Sequence, residues 1–390
     1  MIEKVLKGGR LYWAWIAFLL AIIAVGFAAY LVQYDRGLSV TGMGKEVSWG
    51  LYIANFTFLV GVAASAVMVA LPAYLYNYKK FKKLTTVGEF LAVAAVIMCI
   101  LFILVDLGRP QRVLHVVVHP TPNSVMFYDA IVLSGYLILN LVIAWFVLSA
   151  KQASREPNQL IKLLIYIAIP WAFSIHTVTA FLYSGLVARG FWNTAIMAPR
   201  FLASAFAAGP AFLILALMVA KRYADFDPGR DAIKKLSEIV TFAMIANMFL
   251  LGCELFTAFY SAHPAHLEHF VYLLFGLEGY GKLVPWIRLS IIMGLAAVAL
   301  LVYPRTRHNE YTLALACALV FVSIWIDKGM GLIIPGYIPS QVGTIEEYWP
   351  SLIESLIALG VWGIGLLIFT VLAKMAIEVT KETEAYEGVF

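Results

Sequence analysis

An all-α integral membrane protein of about ten transmembrane helices is the fold class this 390-residue sequence predicts. Hydrophobic residues make up 62% of it, charged residues only 13%, and the mean hydropathy is +0.87. That composition lies far from a soluble globular domain. Crossing a hydrocarbon slab roughly 30 Å thick takes about 20 helical residues, and apolar stretches of that length recur along the whole chain. Lys and Arg are also abundant and scarce by turns in the polar breaks between them, the pattern that loops on the two sides of a membrane produce.

Spans are expected at residues 11–33, 49–76, 87–107, 128–149, 160–183, 199–220, 236–261, 283–303, 311–333 and 350–373. The first follows Lys4, Lys7 and Arg10 as a signal peptide would, but its apolar run is too long for a signal h-region and reads as a retained anchor. Asp327, Lys328 and Gly329 interrupt the ninth, a break that points to function. One set of alternating loops holds 19 Lys and Arg and the other seven, so the span number is even and both termini face the cytoplasm. Residues 1–390 therefore form a single membrane domain in the cell membrane. The polar stretch 374–390 reads as a tail in water or a contact for a cytoplasmic partner.

Several chemistries lack their residues. The net charge of +5 is what cytoplasmic loops supply, and nucleic acid is not expected as a partner. Cys99, Cys253 and Cys317 lie in apolar runs without a Cys-x-x-Cys pair, so no iron-sulfur cluster or metal of the chain's own is expected. His176 is the one histidine deep within a span, whereas a dihaem cytochrome needs paired axial histidines, so no haem is expected. Neither a phosphate-binding loop nor a His-Glu-x-x-His motif is present.

Polar residues inside spans are costly and therefore candidates for function. His176 falls about 24 Å along the fifth span from its cytoplasmic start. Asp106 and Asp129 end the third span and begin the fourth on the outer side; Glu254, Arg288, Asp327 and Glu354 also fall toward that side. Each has a plainer reading. Asp106 and Arg109, three apart, can pair; Asp129 can be an interfacial residue; His176, between Ser174 and Thr177, can be a hydrogen-bonded packing residue; Glu254 and Arg288 can be a buried ion pair. Asn55, Tyr183 and Asn247 can be interhelical glue. His115, His119, His263, His266 and His269 read as solvated loop residues. The remaining chemistry is that of protons and a lipophilic redox carrier such as a quinone, which needs hydrogen-bond partners and proton acceptors at a lipid-open pocket.

Three runs carry a family resemblance. Val105-Asp106-Leu107-Gly108-Arg109-Pro110-Gln111-Arg112, with His115, His119-Pro120 and Asn123-Ser124-Val125-Met126, resembles the signature loop of the NrfD/polysulfide reductase membrane subunits. Ser48 to Phe56 with Gly61 is similar to that family's first bundle helix, and Ser174 to Phe181, through Tyr183 and Trp192 to Pro199-Arg200-Phe201, to its middle helix and outer loop. Length and motifs are most similar to the ten-helix members found in the Dsr and Hmc redox complexes of sulfate reducers.

The resemblance implies a first four-helix bundle over 49–183, a second over 199–333, and flanking helices at 11–33 and 350–373. It implies menaquinone as bound substrate and an extracytoplasmic ferredoxin-like iron-sulfur subunit as electron partner, with further redox subunits such as cytochromes. The site it implies uses Asn55, Asp106, His176 and Tyr183, with Asp129 nearby; His176, Asp106 and Asp129 are the proton-handling candidates, and Arg109 and Arg112 lie closer to the partner. Glu254, Arg288, Asp327 and Lys328 are read as a proton path in the second bundle. A secondary transporter using the broken ninth helix, and a ligand-free anchor, are the alternatives.

Overall fold

The computed structural model describes residues 2–153, 155–340 and 342–387. Ten helices among them are long and apolar enough to cross a membrane: α1 (Arg10–Arg36), α2 (Leu51–Leu75), α3 (Thr85–Asp106), α4 (Val125–Gln152), α5 (Gln159–Ser184), α6 (Met197–Tyr223), α7 (Arg230–Ser261), α8 (Val284–Val302), α9 (Glu310–Gly336) and α10 (Leu352–Glu387). In hydrocarbon every backbone group must find its partner within the segment, so length and apolarity alone place these elements close to their expected positions.

The differences lie where the sequence is polar. α10 continues well past residue 373: Ala376, Ile377 and Val379 are buried, and Lys151 Nζ donates to Thr380 Oγ1 at 2.9 Å. Residues 374–383 thus pack on their own chain instead of trailing in water; residues 388–390 lie outside the described residues. Between α7 and α8 a helix forms at Pro264–Leu274. It buries His269, whose Nδ1 lies 2.8 Å from the Ile338 carbonyl oxygen, so this histidine is not the solvated loop residue expected.

Short loops put neighbours side by side. α2 to α5 pack together, as do α6 to α9, and α2 meets α6 and the last turns of α9. α10 lies against α3 and α4, with α1 along its outer flank. α1 buries only a stripe of Ile16, Leu19, Gly26, Ala29 and Gln33, the spacing of one helical face. It approaches α10 so closely that a Cβ on Gly26 would stand 2.5 Å from Gly360 Cα, the small-residue contact that helices use in lipid. A second close approach joins the groups: α2 leaves α-geometry at Ala63–Ala64, and there a Cβ on Gly209 of α6 would stand 2.9 Å from Ser65 N. The Ile2–Leu6 helix touches α10, and Lys374 Nζ donates to Val5 O at 3.4 Å. Both ends of the described chain therefore lie on the same side.

Two buried polar clamps fix the opposite end. Ser351 and Glu354 form a capping box at the start of α10: Ser351 Oγ accepts from Glu354 N at 3.1 Å, and the carboxylate accepts from Ser351 N at 3.4 Å. The same carboxylate, wholly buried, accepts from Gly42 N at 3.0 Å, from Leu51 N at 3.2 Å and from the Tyr348 hydroxyl. One side chain thereby ties α10, the first residue of α2 and the intervening loop together. Burial and the Glu354 charge push the Tyr348 pKa upward, which keeps this hydroxyl a donor. The second clamp is Arg200, in the first turn of α6. Its Nη2 binds both oxygens of Asp327 in α9 at 2.7 and 2.9 Å, and its Nη1 binds Glu254 in α7.

Removing either clamp leaves buried polar groups without partners. Glu354→Ala is expected to cost about 2–5 kcal/mol, and Arg200→Met, which strands two carboxylates, about 3–5 kcal/mol. Arg288→Gln changes an exposed side chain and is expected to stay within about 0.5 kcal/mol. Unfolding in mixed micelles ranks the three variants; equal losses for Arg200→Met and Arg288→Gln would contradict these roles.

Candidate functional site

The buried face of α5 carries His176, Thr179 and Tyr183 at spacings of three and four residues, one stripe turned toward α2 and α4. Thr179 Oγ1 donates to Asp129 Oδ1 of α4 at 2.6 Å. The Tyr183 and Thr57 hydroxyls meet at 2.5 Å. His176 lies between these levels and the molecular interior, fully buried, and neither ring nitrogen has a hydrogen-bond partner. Its ring stands edge-on to Phe206 of α6 at 6.4 Å. A buried imidazole without partners is costly, which singles His176 out as a candidate for function.

Lys328 reaches the same place from the second group of helices. Its α9 segment, Trp325–Met330, is a π-turn, which shifts the helical register: Asp327 turns to Arg200 while Lys328 points toward α2. The ammonium donates to Phe201 O at 3.3 Å and sits 4.1 Å over the Phe201 ring. A Cβ on Gly61 of α2 would meet it at 3.3 Å. Lys328 is 4% exposed and has no carboxylate within ion-pair distance among the described residues.

An aromatic group closes the site on the side away from the termini. Trp49 stacks on Trp192 at 5.8 Å and meets Tyr183 edge-on at 5.9 Å and Tyr337 at 6.0 Å. Trp192 Nε1 donates to Leu332 O at 2.8 Å, and the Arg189 guanidinium lies 4.4 Å from the Tyr337 ring centre.

The structure puts His176 and Tyr183 on one face of α5 and joins that face to Asp129 through Thr179, while other residues singled out in the sequence have different partners. Asn55 is turned into a structural link: its Oδ1 accepts from the Trp325 and Trp362 indoles at 3.0 and 2.9 Å, and its Nδ2 donates to Leu51 O at 2.8 Å. Asp106 makes no ion pair with Arg109, because the backbone turns extended at Leu107 and the helical spacing ends; its Oδ1 is buried without a partner. Arg109 and Arg112 are exposed on the loop beyond. Glu254 pairs with Arg200 and not with Arg288, which is exposed and donates through Nε to Leu274 O at 2.9 Å. Glu254 and Asp327 thus share Arg200, and Arg288 has a partner of its own outside that cluster.

Three buried or partly buried residues are not among the site candidates read from the sequence. Arg200 falls beside an outer loop by its position in the chain, although it lies in the first turn of α6. Thr179, which anchors Asp129, carries no charge to draw notice. Glu89 is a buried acid with an unpartnered Oε2, beside a small cavity that Tyr136 and Asn140 also line; an acidic residue inside an apolar run is the signal for it.

The chain matches the profile of the family described as polysulphide reductase, NrfD, over residues 39–339. It is 22% identical to a subunit of the selenate reductase of Mesobacillus selenatarsenatis, covering 97% of this chain and 96% of that one. It is 25% identical to the Hdr-like menaquinol oxidoreductase integral membrane subunit of Archaeoglobus fulgidus, over 93% of each. With the menaquinone reductase integral membrane subunit of Nitratidesulfovibrio vulgaris the identity is 20%, over 91% of this chain and 87% of that one. The profile spans well over half the chain and includes every residue of the site just described, so this multi-pass membrane protein belongs to the NrfD/polysulphide reductase family.

Proposed function

We propose that the chain is the quinone-interacting membrane subunit of a respiratory redox complex, exchanging electrons between menaquinol and an iron-sulfur subunit on the face opposite the termini. The observation that carries this reading is His176: a fully buried imidazole with two unpartnered nitrogens, on the same face of α5 as Thr179, which binds Asp129. Relatives of nearly the same length are named as menaquinol oxidoreductase and menaquinone reductase subunits.

The residues present fit such a substrate. His176 supplies a hydrogen-bond partner for a quinone oxygen, and Tyr183, held by Thr57, supplies a second hydroxyl. Menaquinol, when bound, brings two electrons and two protons. His176 accepts a proton as electrons leave, which lowers the barrier to their transfer; Asp129 lies ready to take it onward, oriented by Thr179. Lys328, without a carboxylate partner, stabilises negative charge near the imidazole at low local dielectric. In the opposite direction the same groups return protons.

Arg109 and Arg112, exposed beyond α3, are proposed contacts for the iron-sulfur subunit. The face carrying both termini is proposed to be cytoplasmic, from the Lys and Arg distribution. Links to sulfite reduction and to cytochrome subunits belong to the same proposal, through the resemblance to sulfate-reducer complexes. A solute transporter is less well supported: the charges nearest the broken α9 already satisfy one another through Arg200, leaving that break no free carboxylate to coordinate an ion.

His176→Ala, in the complete complex, is expected to reduce menaquinol-analogue turnover roughly 10²- to 10⁴-fold with helical content and partner subunits retained. Asp129→Asn should slow turnover less. Unchanged turnover in His176→Ala would overturn the site, and loss of the partner subunits in both variants would favour an anchor.

A further inference from the structure

A cavity of about 960 Å³ opens on the side that carries both termini, away from His176. Three loops converge on it: 76–84 after α2, 153–158 after α4 and 224–229 after α6, with the adjoining helix ends. Seven Lys and Arg line it, among them Lys82, Arg155 and Arg230, against two carboxylates, Glu156 and Asp231. That excess of five equals the formal net charge of the whole chain, +5 with histidine neutral. The local excess of positive charge attracts an anion approaching this side.

Among the described residues both lining carboxylates are already paired. Asp231 is taken by Lys80, and Glu156 by Lys162 at 2.7 Å. Lys82, Arg155 and Arg230 have no carboxylate within ion-pair distance among the described residues, although each comes from a different loop or helix start. Cytoplasmic loops of membrane proteins collect cations in any case, but solvated cations repel and spread. These surround a hollow whose floor is apolar and aromatic: Ala73, Val147, Tyr74 and Tyr166. Val147 lies about 8 Å inside the end of α4, and Tyr166 about 10 Å inside the start of α5. The floor is thus at acyl-chain depth while the rim is at phosphate depth, and Tyr166 is half-exposed on the flank of α5.

We propose that this cavity is a binding site for an anionic phospholipid of the leaflet on the terminal side: phosphate on the Lys82, Arg155 and Arg230 rim, and the upper acyl chain over Tyr74 and Tyr166. An acidic peptide would satisfy the rim and leave the floor wet; a phospholipid satisfies both. Basic pockets between helices on this side of a membrane have that use. The inference is independent of the quinone reading, since it concerns the other end of the molecule and a different ligand.

The test uses the full chain with its copurifying subunits in phosphatidylcholine vesicles, doped with spin-labelled phosphatidylglycerol or spin-labelled phosphatidylcholine. The motionally restricted fraction is read by electron paramagnetic resonance. Phosphatidylglycerol is expected to be restricted in preference. Lys82→Gln/Arg155→Gln/Arg230→Gln should bring it toward phosphatidylcholine, by about fivefold for each charge removed. Lys221→Gln/Lys234→Gln, at a neighbouring depression, should leave the preference intact, and circular dichroism checks that both variants keep their helices. Equal restriction of the two lipids in the parent protein would overturn the proposal, as would a preference that survives the triple variant. Displacement of labelled phosphatidylglycerol by inorganic phosphate at constant ionic strength would assign the site to a free anion. Displacement by an oligoglutamate peptide would assign it to a protein partner.

Discussion

A charge placed in hydrocarbon must be compensated there, because no water follows it. The protein meets this constraint in two ways. Glu354 is buried and satisfied, and its bonds to Gly42, Leu51, Tyr348 and Ser351 join the starts of two helices. Arg200 is buried and satisfied by Glu254 and Asp327 from two other helices. Against that background His176 has neither ring nitrogen partnered, Glu89 Oε2 and Asp106 Oδ1 are likewise buried without partners, and Lys328 has no carboxylate within ion-pair distance among the described residues. The clamps hold α2, α6, α7, α9 and α10 together at the end opposite the termini.

The join between the helix groups rests on two local departures from α-geometry. α2 departs from α-geometry at Ala63–Ala64 where Gly209 presses against it, and α9 departs at Trp325–Met330. Local departures of this kind re-aim side chains. In α9 two consecutive charged residues serve opposite ends: Asp327 completes the Arg200 clamp, and Lys328 enters the site. Asn55, bridged to Trp325 and Trp362, fixes the start of that turn against α2 and α10.

The helices are legible in the sequence because lipid leaves few alternatives: a run of about 20 apolar residues has one stable conformation. The broken ninth span is legible as well, from Asp327, Lys328 and Gly329 inside it. His176, Asp129 and Tyr183 stand out by type and depth, and spacing puts His176 and Tyr183 on one face of α5. Pairing is not legible, since it depends on which faces meet. Hence sequence order matches Glu254 to Arg288 in the adjacent helix when its partner is Arg200, and Asp106 to Arg109 across a point where the helix ends. Asn55 has the residue type of a ligand, and only the two indoles beside it reveal its structural use. Nor does sequence show that polar residues after 374 cover the chain's own surface, or that cations from separate loops surround one hollow.

The central claim is that His176 exchanges a proton with bound quinol. Infrared difference spectroscopy of the complete complex, with ring-labelled histidine, reads that event directly when a menaquinol analogue is added. The account expects imidazole protonation bands that shift with the label and vanish in His176→Ala. Difference spectra in which quinol binds but no histidine band responds would contradict it.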